Sequence, residues 1–169
     1  FSRFCSASLT DKGQLYDTKT RTGYDGRIFF ANEESGNEGR VFGVTEDGKA
    51  QQLPRLGLFQ WENTLVAPTR GETTLVMGQE DAADGQLWVY VGKKQRNGNA
   101  FDRAGLTNGV DYVVDLTDET VSADAGYRTT YGKNTAAAFD LSVVPWDLSG
   151  NAQNAIAKSE GLTLNRIED

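Results

Sequence analysis

The sequence predicts an all-β chain of propeller type, and three observations carry that expectation. Short apolar runs with period-2 alternation recur along most of the chain and are bounded by turn residues. The composition pairs 19 glycines with 8 Phe, 6 Tyr and 3 Trp against only 3 prolines, which suits turn-rich β structure. Two apolar runs, RIFFANEE and TLVMGQED, each end in a pair of acids, and Glu34 and Glu80 lie 46 residues apart. A third acid, Glu168 in the terminal RIED, falls at about twice that interval beyond Glu80. A repeat of about 40–50 residues is the size of a propeller blade. At that length the chain's 169 residues cover about three to four blades, fewer than the four to eight that close a ring. The expected architecture is therefore a single segment, 1–169, forming an incomplete propeller or a piece of a longer polypeptide, with a small closed sandwich or barrel as the alternative.

The elements follow in order. Strands are expected over 27–31, 39–44, 64–67, 73–78, 86–92 and 111–116, each an apolar or β-branched run. Glu46-Asp47-Gly48, Arg70-Gly71 and Asp84-Gly85 supply the turns, the acids by side-chain bonding and the glycines by positive φ. Residues 74–92 read as one hairpin with an acidic loop. GKKQRNGN, 92–99, carries three cations and two glycines and reads as a solvated loop; no P-loop pattern accompanies it. The stretch 136–148 has no clear period, and NAQNAIAKS, 151–159, fits a short helix.

Charge and residue usage remove several function classes. A net charge of −7 disfavours nucleic acid and anionic membranes as partners. The absence of histidine removes Ser-His-Asp and Cys-His catalysis and the usual zinc sites. Any metal site must then be oxygen-rich with at most one thiolate, which points to hard cations first. Cys5 is the lone cysteine, so no internal disulfide forms. No apolar run approaches the roughly 20 residues that span a bilayer. The sequence opens on Phe1 rather than Met, as expected of a processed or trimmed N-terminus, from which a targeting segment could have been lost.

The candidate site residues are the acids at or just past strand ends: Glu33, Glu34, Glu62, Glu80, Asp81 and Glu168. Where strand ends converge on a channel, such carboxylates would suit calcium, which takes many oxygen ligands. The plain alternative is that strand ends meet solvent. Cys5, among small residues in RFCSAS, reads as a buried small apolar side chain, with a thiolate ligand as the sharper alternative. Trp61 reads as core. Arg166 and Glu168 are two apart and on a strand would share a face, where a cation beside a metal-binding acid could steady a phosphate oxygen.

Taken in order, GRIFFANEESGNEGRVFGV, LPRLGLFQWEN, TTLVMGQEDAADGQLWVYVGKKQ, FDRAGLTNG and NRIED resemble the PhoX-type family of secreted bacterial proteins, from Phe4 to Asp169. The likeness is closest to the less-characterised branch. The resemblance implies a six-bladed β-propeller and a phosphatase that hydrolyses phosphomonoesters with an iron–calcium cofactor. It implies Cys5 as iron ligand, Glu33 and Glu34 as the paired acids, and Glu62, Glu80 and Asp81 as calcium ligands. It also implies Arg166 as the phosphate contact and Glu168 as a metal ligand beside it. Trp61 stands where characterised members carry a histidine. The family's further blades would follow Asp169, so the implied partners are those blades or other subunits, together with a phosphate ester. The implied location is secreted, periplasmic or at the cell surface.

Two other functions stay open on the residues. One is a non-catalytic, calcium-stabilised propeller in a secreted or cell-surface assembly. The other is a sugar- or matrix-binding propeller, which requires an exposed Trp61, Trp88 or Trp146.

Overall fold

A computed structural model describes residues 2–167. Two antiparallel sheets form the bulk of it. The first has four strands: β1 (Phe4–Leu9), β4 (Ile28–Glu33), β5 (Val41–Thr45) and β6 (Ala50–Gln52), in the order β1-β4-β5-β6. The short ribbon β2 (Tyr16–Asp17) and β3 (Thr22–Gly23) lies between the first two in sequence. The second sheet is a five-stranded meander in chain order: β7 (Trp61–Val66), β8 (Thr73–Glu80), β9 (Leu87–Lys93), β10 (Val110–Leu116) and β11 (Phe139–Val144). Three helices punctuate it: α1 (Ala100–Arg103), α2 (Asp124–Thr130) and α3 (Gly150–Glu160).

The mostly β character agrees with the expectation; among the described residues the sheets do not close a ring. All six expected strands are present, with ends shifted by up to three residues. The NAQNAIAKS helix is α3, capped by Ser149, whose Oγ accepts from the Ala152 N–H. The unpatterned 136–148 stretch contains β11, an edge strand on which Phe139 and Val143 stay exposed, so no buried face marks it in the sequence. Gly48 and Gly71 take positive φ at their turns. Gly85 does not; there a side chain would strike the Glu80 carbonyl, its Cβ falling 2.7 Å from that oxygen.

The sheets join where β1 and β4 pack on β7. Asn32, fully buried, accepts from the Thr64 hydroxyl at 2.6 Å and donates to Ser6 Oγ at 3.1 Å, and the Ser8 hydroxyl donates to the Thr64 carbonyl. Beneath this seam sits a three-ring stack. Phe59 lies between Trp61 and Trp88, with centroids at 3.9 and 4.5 Å and planes tilted by 27° and 12°. Gly78 on β8 makes room for it, since a Cβ there would fall 2.5 Å from Phe59 Cζ and 2.8 Å from the Trp61 ring. Gly78→Ala is therefore expected to destabilise the fold by about 1–3 kcal/mol through overpacking, read as a lower urea midpoint at unchanged slope. A change below about 0.5 kcal/mol would show that the rings move aside freely.

The loop 92–99 departs from the solvated reading at one position. Lys94 is 2 % exposed, and its ammonium donates to the Gly71 and Thr73 carbonyls, both at 2.9 Å.

Candidate metal centre

Two strand ends and two bulges build the site. On β1 the register with β4 slips between Phe4 and Ser6, so Cys5 is the extra residue opposite the end of β4. On β7 the register with β8 slips between Trp61 and Asn63, so Glu62 is the extra residue opposite the end of β8. A bulge breaks the alternation of faces and re-aims the side chain it carries. Each acid pair thus lies across from a bulged residue that could bind metal: Glu33-Glu34 from Cys5, Glu80-Asp81 from Glu62.

In both pairs the two acids part company. The first serves its own sheet. Glu33 accepts from Arg40 Nε at 2.6 Å, Arg40 Nη2 at 3.0 Å and the Ser2 N–H at 2.7 Å. The Arg40 guanidinium holds the Glu33 carboxyl below the ordinary range. Glu80 is buried in the second sheet, where its Oε2 accepts from Trp88 Nε1 at 3.0 Å and the Gln86 N–H at 2.9 Å, while Oε1 has no partner among the described residues. Burial pushes Glu80 up, against these two donors.

The second acid of each pair turns to a common point. Oxygens of Glu34, Glu62 and Asp81 all lie within 4.8 Å of one another. Glu34 and Asp81 are each 7 % exposed, and Glu62 is half-buried. Backbone bonds fix the geometry: Asp81 N–H donates to the Gln60 carbonyl at 3.0 Å, and Glu34 N–H to the Arg3 carbonyl at 2.8 Å. Such proximity of three carboxylates needs positive charge or protons to offset it. Arg166 supplies a bidentate pair to Asp81, Nε to Oδ1 at 2.7 Å and Nη2 to Oδ2 at 3.1 Å, and Arg3 pairs with Glu34. Arg166 keeps the Asp81 carboxyl below its usual range, so Asp81 stays ionised at neutral pH. The Asp81–Arg166 stabilisation is present above the ordinary carboxylate pKa and is lost as pH falls through the depressed one.

Cys5 is exposed, contrary to the buried reading, and lies near Glu34, whose carboxylate pushes the thiol up. Arg166 sits off any strand with φ of 41°, a left-handed backbone that a non-glycine residue adopts at some cost. Its N–H donates to the Ala82 carbonyl at 3.0 Å, which helps hold it there. The expected shared strand face of Arg166 and Glu168 is therefore replaced at Arg166 by an irregular turn, and Glu168 lies outside the described residues.

The structure thus brings together Cys5, Glu34, Glu62, Asp81 and Arg166 from the sequence candidates, and turns Glu33 and Glu80 elsewhere. Two participants were missed. Arg3 lies two residues before Cys5, and Gln60 lies two before Glu62, donating to the Asp81 carbonyl and, at 3.4 Å, to Glu34. Arg3 precedes β1 and Gln60 precedes β7, and the bulges at Cys5 and Glu62 break the alternation that would have tied them to one face, so no periodic signal marked them. Of the three tryptophans, Trp61 and Trp88 are core, and Trp146, at 37 % exposure, lies under the Arg55 guanidinium 4.4 Å from the ring centroid.

Comparisons with protein-family models, curated proteins and solved structures gave no match to this chain.

Proposed function

We propose that Glu34, Glu62 and Asp81 hold a hard divalent cation, calcium first, in a PhoX-type phosphomonoesterase of which this chain forms part of the propeller. The observation that carries the reading is the convergence of three carboxylates from different strand ends within 4.8 Å. The donor chemistry fits: oxygen ligands suit calcium, whose remaining positions water and carbonyls can fill. Iron fits only through Cys5, the one soft donor, once its thiol loses the proton that Glu34 stabilises. Glu168 belongs to the proposed set through the family resemblance alone, and the same holds for Glu33 and Glu80 as ligands.

The cations, when bound, would neutralise and polarise a phosphoryl group. The chain's own residues do the rest. Glu34, Glu62 and Asp81 supply fixed negative charge. Arg3 and Arg166, with side chains 63 % and 57 % exposed, are placed to turn from carboxylate to phosphate oxygens and hold them by charge-assisted bonds. Gln60 keeps Glu34 and the Asp81 backbone in register.

One further observation favours a second reading, a non-catalytic calcium staple. The cluster joins Glu34 of the first sheet to Glu62 and Asp81 of the second, so a cation there would bind the sheets together. Elemental analysis of the purified protein, with melting temperature and phosphomonoester hydrolysis measured before and after chelation, separates the two. Under the phosphatase reading calcium co-purifies, chelation abolishes hydrolysis and lowers the melting temperature, and calcium restores both. Saturating calcium at a hundred times its Kd should return about 2.7 kcal/mol. Asp81→Asn should lose calcium binding, and Cys5→Ser should lose iron while keeping calcium. Calcium-dependent stability without hydrolysis leaves the staple. No bound metal and no calcium effect overturns both.

A further inference from the structure

At the far end of the β7–β8 hairpin from the acid cluster, a cleft of about 700 Å³ opens between residues 13–19 and 68–71. The eight residues of β8 separate its Gly71 wall from Asp81, roughly 25 Å along the strand. The volume lies in the range of small-molecule sites.

Most polar groups of the lining are already engaged. Asp17 faces its own turn, with Oδ1 accepting from the Lys19 N–H at 3.3 Å and Oδ2 from the Thr20 N–H at 3.2 Å and the Thr20 hydroxyl at 2.6 Å. Gln14 accepts from the Asp11 N–H and donates to the Val66 carbonyl. The Thr69 hydroxyl donates to the Thr73 carbonyl at 2.6 Å. Two cations are left over, one on each wall. Lys19 and Arg70 are exposed, and their side chains make no ion pair or hydrogen bond among the described residues.

The wall that carries Arg70 is held from behind. Lys94, 2 % exposed, donates two of its three N–H groups to the carbonyls of Gly71 and Thr73, fixing the turn in which Gly71 has φ of 79°. Its charge is felt at Asp17. The cleft thus sets Lys19 and Arg70 against the one carboxylate of its lining, Asp17, with Lys94 buried behind the Gly71 wall and Asp25 beside Gly13, in a chain whose net charge is −7. Unpaired cations on facing walls, braced by a buried third, describe a receptor for an anion.

We propose that this cleft binds a small anionic molecule of sugar-phosphate size, its oxyanion group held between Lys19 and Arg70 and its body beside Tyr16 and Pro68. Arg70 can grip two oxygens of such a group at once, and Lys19 adds a point charge. The site is separate from the acid cluster and does not depend on a metal there.

The test is an amide NMR titration of the nitrogen-15-labelled chain at low salt with inorganic phosphate, glucose 6-phosphate and uncharged glucose. The expected result is saturable shifts at Lys19 and Gly71 with both charged probes, tighter for glucose 6-phosphate, and none with glucose. The double variant Lys19→Gln, Arg70→Gln, whose surface positions leave the fold intact, should weaken binding by about tenfold or more. Asp81→Asn should leave the shifts at the cleft unchanged. Shifts that never saturate, that persist in the double variant, or that appear only around Arg3 and Arg166 would each overturn the proposal.

Discussion

Replacing Phe59 with alanine is expected to cost about 3–5 kcal/mol of stability, the usual loss for a buried phenyl ring. Phe59 is fully buried between two indole rings, so truncation removes both stacked contacts at once. Its N–H also donates to the Gly39 carbonyl at 3.2 Å, so the residue stands where the two sheets meet. For a chain of this size the loss should lower the melting temperature by about 2–4 °C per kcal/mol. The same segment carries Gln60 and Glu62, so calcium affinity should fall with stability although no ligand has changed. Gly78 provides an internal control. Its missing Cβ points at Phe59 Cζ, so Gly78→Ala should be less costly in the Phe59→Ala background than alone, a coupling a double-mutant cycle reads directly. A loss below about 1 kcal/mol for Phe59→Ala would mean that the stack is not the core of the seam.

Asp111 on β10 should make the protein less stable as pH rises, against the trend set by its paired acids. Its side chain is fully buried, neither oxygen has a well-aligned hydrogen-bond partner among the described residues, and burial pushes its carboxyl well above the ordinary range against the nearby Tyr112 N–H. It faces Gly57, where a Cβ would lie 2.4 Å from Oδ2, and Tyr90, whose phenol burial has pushed up to about 12. Arg55 bears on the same Tyr90, but its guanidinium is turned to the Gly109 carbonyl and the Trp146 ring. The protonated form is therefore the folded form. Its contribution is fully present below the unfolded carboxylate pKa of about 3.9 and is lost as pH rises through the raised folded value. Glu80, also raised by burial, acts in the same direction. Glu33 and Asp81, held low by Arg40 and Arg166, act in the opposite one. Asp111→Asn should flatten the decline above pH 4 to the part due to Glu80. Asp111→Val, which removes both orphaned oxygens and suits a strand, should add about 1–3 kcal/mol at pH 7 and less in acid. Urea unfolding from pH 4 to 8 checks both, and an unchanged slope in Asp111→Asn would show that the carboxyl ionises at no cost.

Much of this protein was legible in one dimension. The runs that became β4, β5, β8, β9 and β10 alternate or cluster apolar residues over lengths that suit strands, and that signal needs no partner to be read. The same is true of α3 and of the acid pairs that close β4 and β8. Trp61 announced itself as core by size and apolarity. The local code failed where burial was not periodic: β1 is built on small residues, and β11 lies at an edge with its apolar side chains in solvent. It failed also at Lys94, whose charge reads as surface but whose ammonium is consumed by two carbonyls of a distant turn.

The candidate site shows the same division more sharply. The residues alone marked Glu33, Glu34, Glu62, Glu80, Asp81 and Glu168 as one class, acids at strand ends, and made oxygen chemistry the expected metal chemistry, while Cys5 read as core and entered as a ligand through the resemblance. Which of them meet was decided by register. Consecutive acids point to opposite sides, so Glu34 and Asp81 leave the faces that Glu33 and Glu80 serve, and the extra residues at Cys5 and Glu62 re-aim the side chains opposite them, Glu62 meeting Glu34 and Asp81 at a shared point. Alternation is a property of consecutive residues and survives in the sequence. A bulge is a mismatch between two strands, and convergence is a distance between two sheets, so both exist only once the chain has folded.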